Sequence, residues 1–227
     1  GAIFVTLIYG VLRFANFATG DMMSFGTMFS VLLTFYLQSL GINLGIFPTA
    51  LLTIPFAIFM MILYMLTIDK FVFSYYRIKK SPPVQLAMVS VGVMFVTQAI
   101  IRIIIGPFDR RFLDGEKFII KASEFKEITG LNEGLAIKST QAITLVVTII
   151  VVSIMFWFLN KTKTGTSMRA YSDNEDLALL SGIDPKKVVM ITWMIAGVLA
   201  TIGGILYGLD KSYKPFVYFN NMLPIFA

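Results

Sequence analysis

Residues 188–209 read VVMITWMIAGVLATIGGILYGL, an apolar run without a single charged side chain. A helix rises about 1.5 Å per residue, so roughly 20 such residues cross a hydrocarbon core of about 30 Å. The run is therefore long enough to span a membrane as one helix. It predicts a transmembrane protein and decides the class of fold.

Four other segments are also long and apolar, one of them with a single charged residue, Arg102, and they extend the prediction to a whole bundle. They are residues 22–40, 44–68, 84–105 and 141–159. With residues 188–209 they predict an all-α, polytopic transmembrane bundle of five full spans, in which residues 41–43 form a tight hairpin between the first two. Shorter apolar stretches at residues 2–12 and 216–227 are partial spans. We therefore expect residues 1–227 to be one transmembrane domain, truncated at both ends.

The composition excludes several classes of function. The chain is 57% hydrophobic and 14% charged, with a mean hydropathy of +0.80, whereas soluble domains carry about a quarter charged residues. It contains no cysteine and no histidine, which removes disulfides, Ser-His-Asp and Cys-His catalysis, and thiolate or histidine metal sites. We predict no catalytic residues and no metal site. The net charge of +6 is interpreted as loops bordering the membrane rather than a nucleic-acid surface.

Basic residues predict the orientation of the chain. Residues 69–83 carry four basic residues against one acid, and residues 160–187 carry five basic residues, whereas the six basic residues of residues 107–140 are balanced by six acidic ones. Two spans separate the first two loops. The positive-inside rule places both loops in the cytoplasm of a bacterium, with the chain in its inner membrane. Residues 107–140 then form an extracytoplasmic loop. Within that loop residues 116–121 have strand character, which predicts either a small flap or a plain surface loop.

The second basic loop contains a predicted helix. Residues 161–183 read KTKTGTSMRAYSDNEDLALLSGI. Ser172 followed by Glu175 predicts a capping box and a helix over residues 173–181. Such a helix can lie in the lipid interface or dock onto a partner. Its predicted apolar side consists of Leu177, Ala178 and Leu180.

The end of this helix also has a clear signal. Gly182 stands at the C′ position, where a left-handed backbone favours glycine. Asp184 and Pro185 then predict the cap and first residue of the next helix, which enters the membrane.

Small residues recur every four positions along residues 188–209. They allow two transmembrane backbones to approach closely, so we predict a helix-packing stripe. The stripe consists of Ala196, Ala200, Gly204 and Gly208.

Polar residues interrupt the apolar sequence before residue 22. Asn16, Gly20 and Asp21 break the pattern. Irregular backbone at membrane depth is tolerated only where protein buries it or where it lines a watery cavity. These residues are therefore predicted to line the substrate pathway. The alternative is a cytoplasmic turn capped by Asn16 or Asp21.

Two motifs give the chain a family resemblance. Residues 176–182, DLALLSG, resemble the "EAA, three residues, G" coupling loop of ABC importer permeases. Asp176 stands for the glutamate and Leu177 departs from the first alanine, whereas Ala178 and Gly182 match. Residues 16–20, NFATG, are similar to the NFAHG that precedes an acid in the LivH-type permeases for branched-chain amino acids, with threonine at the histidine position. Arg169 and Ile183 also match that form of the loop.

The resemblance implies an ABC importer permease for branched-chain amino acids delivered by an extracytoplasmic binding protein. The expected partners are a second permease subunit, two cytoplasmic ATPases that carry ATP and Mg, the binding protein and membrane lipid, but no nucleic acid. This chain would bind no cofactor and would not be an enzyme. The residues expected to couple to the ATPase are Arg169, Asp176, Leu177, Ala178, Leu180, Gly182 and Ile183.

Other functions are open alternatives. Related permeases carry urea or short amides. An ion-coupled secondary transporter is disfavoured because the five predicted spans contain no Asp or Glu. An intramembrane enzyme is disfavoured by the missing histidine and cysteine.

Overall fold

A computed structural model describes residues 2–42, 48–112, 138–215 and 217–220 of the chain. Within these ranges the fold is helical, without strands, and a lone bridge joins Arg110 to Tyr213. The all-α prediction is confirmed. The helices are α1 (Ala2–Leu12), α2 (Thr19–Ser39), α3 (Ala50–Ile68), α4 (Ser74–Ile78), α5 (Pro83–Ile105), α6 (Ser139–Lys161), α7 (Lys163–Asp173), α8 (Glu175–Leu180), α9 (Pro185–Lys211) and α10 (Val217–Asn220).

Four helical stretches in the described part of the chain are long and apolar enough to cross a membrane. They are Ala50–Ile78, Pro83–Ile105, Ser139–Lys161 and Pro185–Lys211. The fifth predicted span, residues 22–40, falls on α2, whose 21 residues are too polar to belong to this set. Most residues of α2 are buried, including Thr27, Ser30 and Thr34. A helix enclosed by protein needs no apolar surface for lipid, which explains the difference.

The core forms where α2, α3 and α9 pack against one another. Between α2 and α3, the hydroxyls of Ser30 and Thr53 lie 2.6 Å apart, and the rings of Phe25 and Tyr64 stack with centroids 3.9 Å apart. The Ser30–Thr53 pair satisfies a polar group of α2 inside the bundle, and the aromatic pair adds packing between the same two helices. The arrangement makes α2 the central helix of the described fold.

The span that begins with α3 is longer than predicted. It continues through a π-helical turn, Asp69–Phe73, and α4 to Ile78, so that most of the loop predicted over residues 69–83 is helical. The guanidinium of Arg77 donates to both carboxylate oxygens of Asp69, at 2.6 and 2.9 Å. This bidentate ion pair joins the π turn to α4.

The predicted helix start at residue 44 is wrong, and the connection between α2 and α3 is longer than the hairpin predicted at residues 41–43. Pro48 and Thr49 are not helical, and α3 begins only at Ala50. Proline lacks the N–H that a continuing helix needs, and it restricts the residue before it. Residues 43–47 lie outside the described residues, as do residues 116–121, for which a strand or a loop was predicted.

Two residues of the small-residue stripe on α9, Gly204 and Gly208, lie against Thr27 of α2. A Cβ added at Gly204 would meet the Thr27 hydroxyl and stand 2.7 Å from the Met23 carbonyl oxygen. A Cβ added at Gly26 of α2 would stand 3.3 Å from the Cα of Thr201. Each of the two helices thus has a glycine where it contacts the other. The backbones approach too closely for a side chain at either position.

This contact gives a matched pair of stability predictions. Gly204→Ala should lower the unfolding free energy of the permease by about 1–3 kcal/mol, because the new methyl overpacks a rigid backbone contact. Gly92→Ala is the control: Gly92 lies inside α5, and an added Cβ there meets nothing within 4 Å. Alanine should be neutral or stabilising at that position. Thermal unfolding of the purified variants is the measurement, and equal midpoints for both would contradict the packing account.

Candidate functional site: an elbow of two short helices and a buried turn

The basic loop predicted over residues 160–187 folds into two short helices, and we call residues 163–183 the elbow. Thr162 caps α7, its hydroxyl oxygen accepting from the Gly165 N–H at 3.0 Å. Asn174 then adopts an extended backbone and ends α7. Its side chain accepts from the Leu177 N–H at 3.1 Å and so begins α8.

The predicted capping box is therefore wrong, and the helix predicted over residues 173–181 is present but shorter. The N-cap is Asn174, and α8 covers Glu175–Leu180. Ser172 lies in the last turn of α7, and its hydroxyl donates to the Gly10 carbonyl of α1 at 2.7 Å. The Glu175 carboxylate accepts from the Tyr171 hydroxyl at 2.9 Å. Both side chains of the expected capping box thus make other hydrogen bonds, Ser172 with Gly10 and Glu175 with Tyr171.

The end of α8 has the geometry expected from its glycine. Gly182 has a φ of +80°, its N–H donates to the Leu179 carbonyl at 3.0 Å, and the Ile183 N–H donates to the Ala178 carbonyl at 3.1 Å. These two bonds form a Schellman motif. A Cβ at Gly182 would meet nothing within 4 Å, so the left-handed backbone alone disfavours other residues there.

The start of α9 is as predicted. Asp184 accepts from the Lys186 N–H at 2.9 Å, and Pro185 is the first helical residue.

The two faces of α8 have different surroundings. Ala178 is 3% exposed and anchors α8 on a small apolar cluster formed by Val11, Met168, Tyr171, Ala178 and Val188. Leu180 is 85% exposed, and Leu177 and Leu179 are exposed as well. The single apolar side predicted for this helix is therefore divided. The alanine faces the protein, and the leucines face away from it.

The other predicted coupling residues lie around this helix. Arg169 donates to the Asn160 side-chain oxygen at 3.0 Å, Asp176 is exposed and Ile183 is half-buried. Burial, and then the hydrogen bond to Glu175, raises the pKa of Tyr171 to about 12. The Tyr171 hydroxyl therefore keeps its proton at neutral pH and remains a donor within the elbow.

Sequence reasoning missed the role of Arg13. This residue has a φ of +56°, and its guanidinium donates to the carbonyls of Ser172 and Asp173 at 2.9 and 3.2 Å. Those carbonyls end α7, where a helix has unsatisfied acceptors and the negative end of its dipole. With the Ser172–Gly10 bond, Arg13 ties the elbow to the junction between α1 and α2. An arginine next to a break in an apolar run was the available signal.

Ser172, which bonds to Gly10, has a matched control on the same helix, Ser167. Ser172→Ala should cost about 0.5–1.5 kcal/mol of unfolding free energy, because it removes a hydrogen bond between two helices. Ser167→Ala should be near neutral, since the Ser167 hydroxyl bonds only the Lys163 carbonyl of its own helix. Thermal unfolding of both variants checks this, and an equal loss of stability would show that the tie to α1 contributes nothing.

The turn between α1 and α2 is buried in protein. Asn16 is 2% exposed, its side-chain oxygen accepts from the Ala18 N–H at 3.1 Å, and its carbonyl accepts from the Thr19 hydroxyl. The Phe17 N–H donates to the Ser90 hydroxyl of α5 at 3.0 Å. The broken backbone is thus satisfied internally, as an interruption inside a membrane requires. Asn16 forms the turn itself, and its role in a substrate pathway stays a prediction.

Gly20 and Asp21 belong to the buried first turn of α2. Asp21 is 0% exposed. Its Oδ2 accepts from the Gln98 amide of α5 at 3.1 Å, whereas its Oδ1 has no hydrogen bond within the described part of the chain. One turn later Ser24 lies 3.1 Å from the Tyr213 hydroxyl. Among the described residues no three acidic, cysteine or histidine side chains converge as they would around a metal ion.

Comparison with known proteins agrees with this architecture. Residues 1–227 match the family described as branched-chain amino acid transport system / permease component. The chain is 24% identical to the high-affinity branched-chain amino acid transport system permease protein LivH of Escherichia coli (strain K12) and of Salmonella typhimurium, over 91% of this chain and 65% of each relative. It is 33% identical to the nucleoside ABC transporter permease protein NupB of Lactococcus lactis subsp. cremoris, over 42% of this chain and 26% of that relative. No solved structure matches.

The family match covers the whole chain, which spans just under two thirds of the length of its LivH relatives. The apolar helices and the LivH similarity together place it in the inner membrane with several crossings. The chain belongs to the family of branched-chain amino acid transport system permease components, and it is a multi-pass inner-membrane protein.

Proposed function

We propose that this chain forms the membrane-spanning path of an ATP-driven importer for branched-chain amino acids. In this proposal it pairs with a second permease subunit, two cytoplasmic ATPases and an extracytoplasmic binding protein. ATP and Mg are bound by the ATPases, and this chain catalyses no reaction. The observation that carries the proposal is the outward row of Leu177, Leu179 and Leu180 on a helix that is anchored from behind.

The construction of α8 supports docking onto a protein. A helix of six residues is not stable alone in water, and here the Asn174 cap, the Gly182 Schellman motif and Ala178 hold it in place. That support keeps exposed leucines at fixed positions. Exposed apolar groups held in this way suit a complementary groove, where their burial adds to affinity.

The charges in the first turn of α8 favour an ATPase groove over the lipid surface. Glu175 and Asp176 lie in its first turn and are exposed, and Asp173 is exposed beside them. The cytoplasmic leaflet carries a negative surface potential, which repels acidic side chains and attracts basic ones. An acidic helix with an apolar row therefore suits a protein groove with positive charge at its edge.

The elbow also connects α8 with the bundle interior. Ala178 packs against the cluster that contains Val11 of α1, and Arg13 and Ser172 bond across the same junction. A displacement of α8 by the ATPase therefore acts on the end of α1 and on the buried turn that precedes α2. This contact path is the proposed route from ATP hydrolysis to the substrate pathway.

The cargo is proposed from the family and from the LivH relatives. A nucleoside is the second candidate, because the identity to the nucleoside permease NupB is higher, although over a shorter stretch. Urea and short amides are further alternatives within this type of permease. Transport of defined cargo by the complete importer separates them.

The docking face is tested by one added charge and a matched control. Leu180→Asp should reduce copurification of the ATPase at least about tenfold, because burial of an unpaired carboxylate at a docking face is costly. Thr166→Asp adds the same charge on the neighbouring α7, where the exposed threonine bonds only to backbone of its own segment. It should leave ATPase binding unchanged.

Both variants are measured in the full-length permease purified with its partners. Normal ATPase binding by Leu180→Asp would contradict the proposed docking role of α8. Equal loss in both variants would assign the effect to general charge rather than to the leucine row.

A further inference from the structure

A buried carboxylate oxygen without a hydrogen bond lies in the interior of this bundle. Asp21 is fully buried in the first turn of α2, and its Oδ1 has no hydrogen-bond partner among the described residues. Its Oδ2 receives one hydrogen bond, from the neutral amide of Gln98. Arg102 lies one turn further along α5, and its positive charge acts on Asp21. The carboxylate thus retains an unused acceptor position in the interior.

The groups around Asp21 combine polar and aromatic surfaces. Tyr64 stacks on Phe25, and its hydroxyl lies 2.5 Å from that of Thr97, next to Gln98 in the chain. Tyr213 meets Ser24, one helical turn from Asp21. Hydroxyls and ring faces are the surroundings that accommodate an ammonium group with an apolar side chain attached.

An ionisable residue within a membrane is costly to keep and usually serves a function. A structural hydrogen bond to Gln98 needs no charge, since an asparagine oxygen accepts from the same amide. What a carboxylate adds is negative charge and the free Oδ1. A primary ammonium group, with three donors and one positive charge, is the partner that uses both.

We propose that Asp21 binds the α-ammonium group of the amino-acid cargo as it passes between α2 and α5. This inference rests on the proposed function, because it requires a cargo with a free amine. Asp21 is closed off in the present conformation, so α2 and α5 must separate to admit the cargo. As the two helices separate, the bond from Gln98 to Oδ2 opens, and the ammonium binds at the free Oδ1.

Asp210 is a second residue with a buried carboxylate oxygen, and its surroundings differ from those of Asp21. Asp210 also has an Oδ1 without a hydrogen bond, but the residue lies near the end of α9, is partly exposed and is followed by Lys211. It therefore serves as the matched control for the same substitution at another place in the bundle.

The test compares Asp21→Asn with Asp210→Asn in the full-length permease, reconstituted with its partner subunits in liposomes. Asp21→Asn preserves shape and the bond to Gln98 but removes the charge. It should reduce leucine uptake at least about tenfold while ATPase activity stimulated by the binding protein is retained. Asp210→Asn should transport like the unmodified importer, and Asp21→Glu should regain part of the lost uptake.

A second variant tests the charge where Asp21→Asn assembles poorly. The chain contains no cysteine, so Asp21→Cys introduces one reactive site in it. Reaction with an anionic sulfonatoethyl thiosulfonate should restore part of the leucine uptake, whereas the cationic aminoethyl reagent should not.

The outcomes distinguish this proposal from the proposed function. Leucine uptake by the unmodified importer, with equal uptake by Asp21→Asn or equal effects of the two reagents, overturns the ammonium site and leaves the importer function standing. An unmodified importer that carries nucleosides and no amino acid overturns both. Loss of uptake in Asp21→Asn alone, with rescue by the anionic reagent, supports the site.

Discussion

The close approach of α2 and α9 is the contact on which the rest of the fold depends. Gly204 and Gly26 leave no room for side chains between the two backbones, so α2 is enclosed by its neighbours. An enclosed helix can carry hydroxyls and a carboxylate, provided that protein partners satisfy most of them. The same packing therefore accounts for the polar composition of α2 and for the buried position of Asp21.

The second organising feature is the junction between α1 and α2. The helix is interrupted there, and Asn16 and Ser90 accept hydrogen bonds from backbone N–H groups of the interruption. Arg13 and Ser172 join this interruption to the elbow. Within the elbow, Ala178 anchors α8 on the small apolar cluster, and the leucines of α8 remain exposed. The exposed leucines of α8 and the buried turn before α2 are thus connected by short, direct contacts. This connection is what the proposed transport cycle requires of the chain.

Sequence patterns predicted the parts of this protein that depend on local chemistry. Long apolar runs identified the helices that cross the membrane, and Gly182 and Asp184 marked the end of α8 and the start of α9. The N-terminus of α8 was misplaced because Ser172, Asp173 and Asn174 are all good capping residues, and a tertiary bond to Gly10 decides between them. The helical course of residues 69–78 and the bonds of Arg13 depend on contacts between distant or irregular segments, which periodicity does not reveal.

Uptake into liposomes tests whether this chain conducts branched-chain amino acids in a cycle driven by ATP. The complete importer, with its permease pair, ATPases and binding protein, is supplied with labelled leucine, a labelled nucleoside or labelled urea, with and without ATP. We expect leucine uptake that requires ATP, with little uptake of the nucleoside or of urea. Uptake of the nucleoside or urea in place of leucine, or leucine uptake that does not depend on ATP, would contradict it.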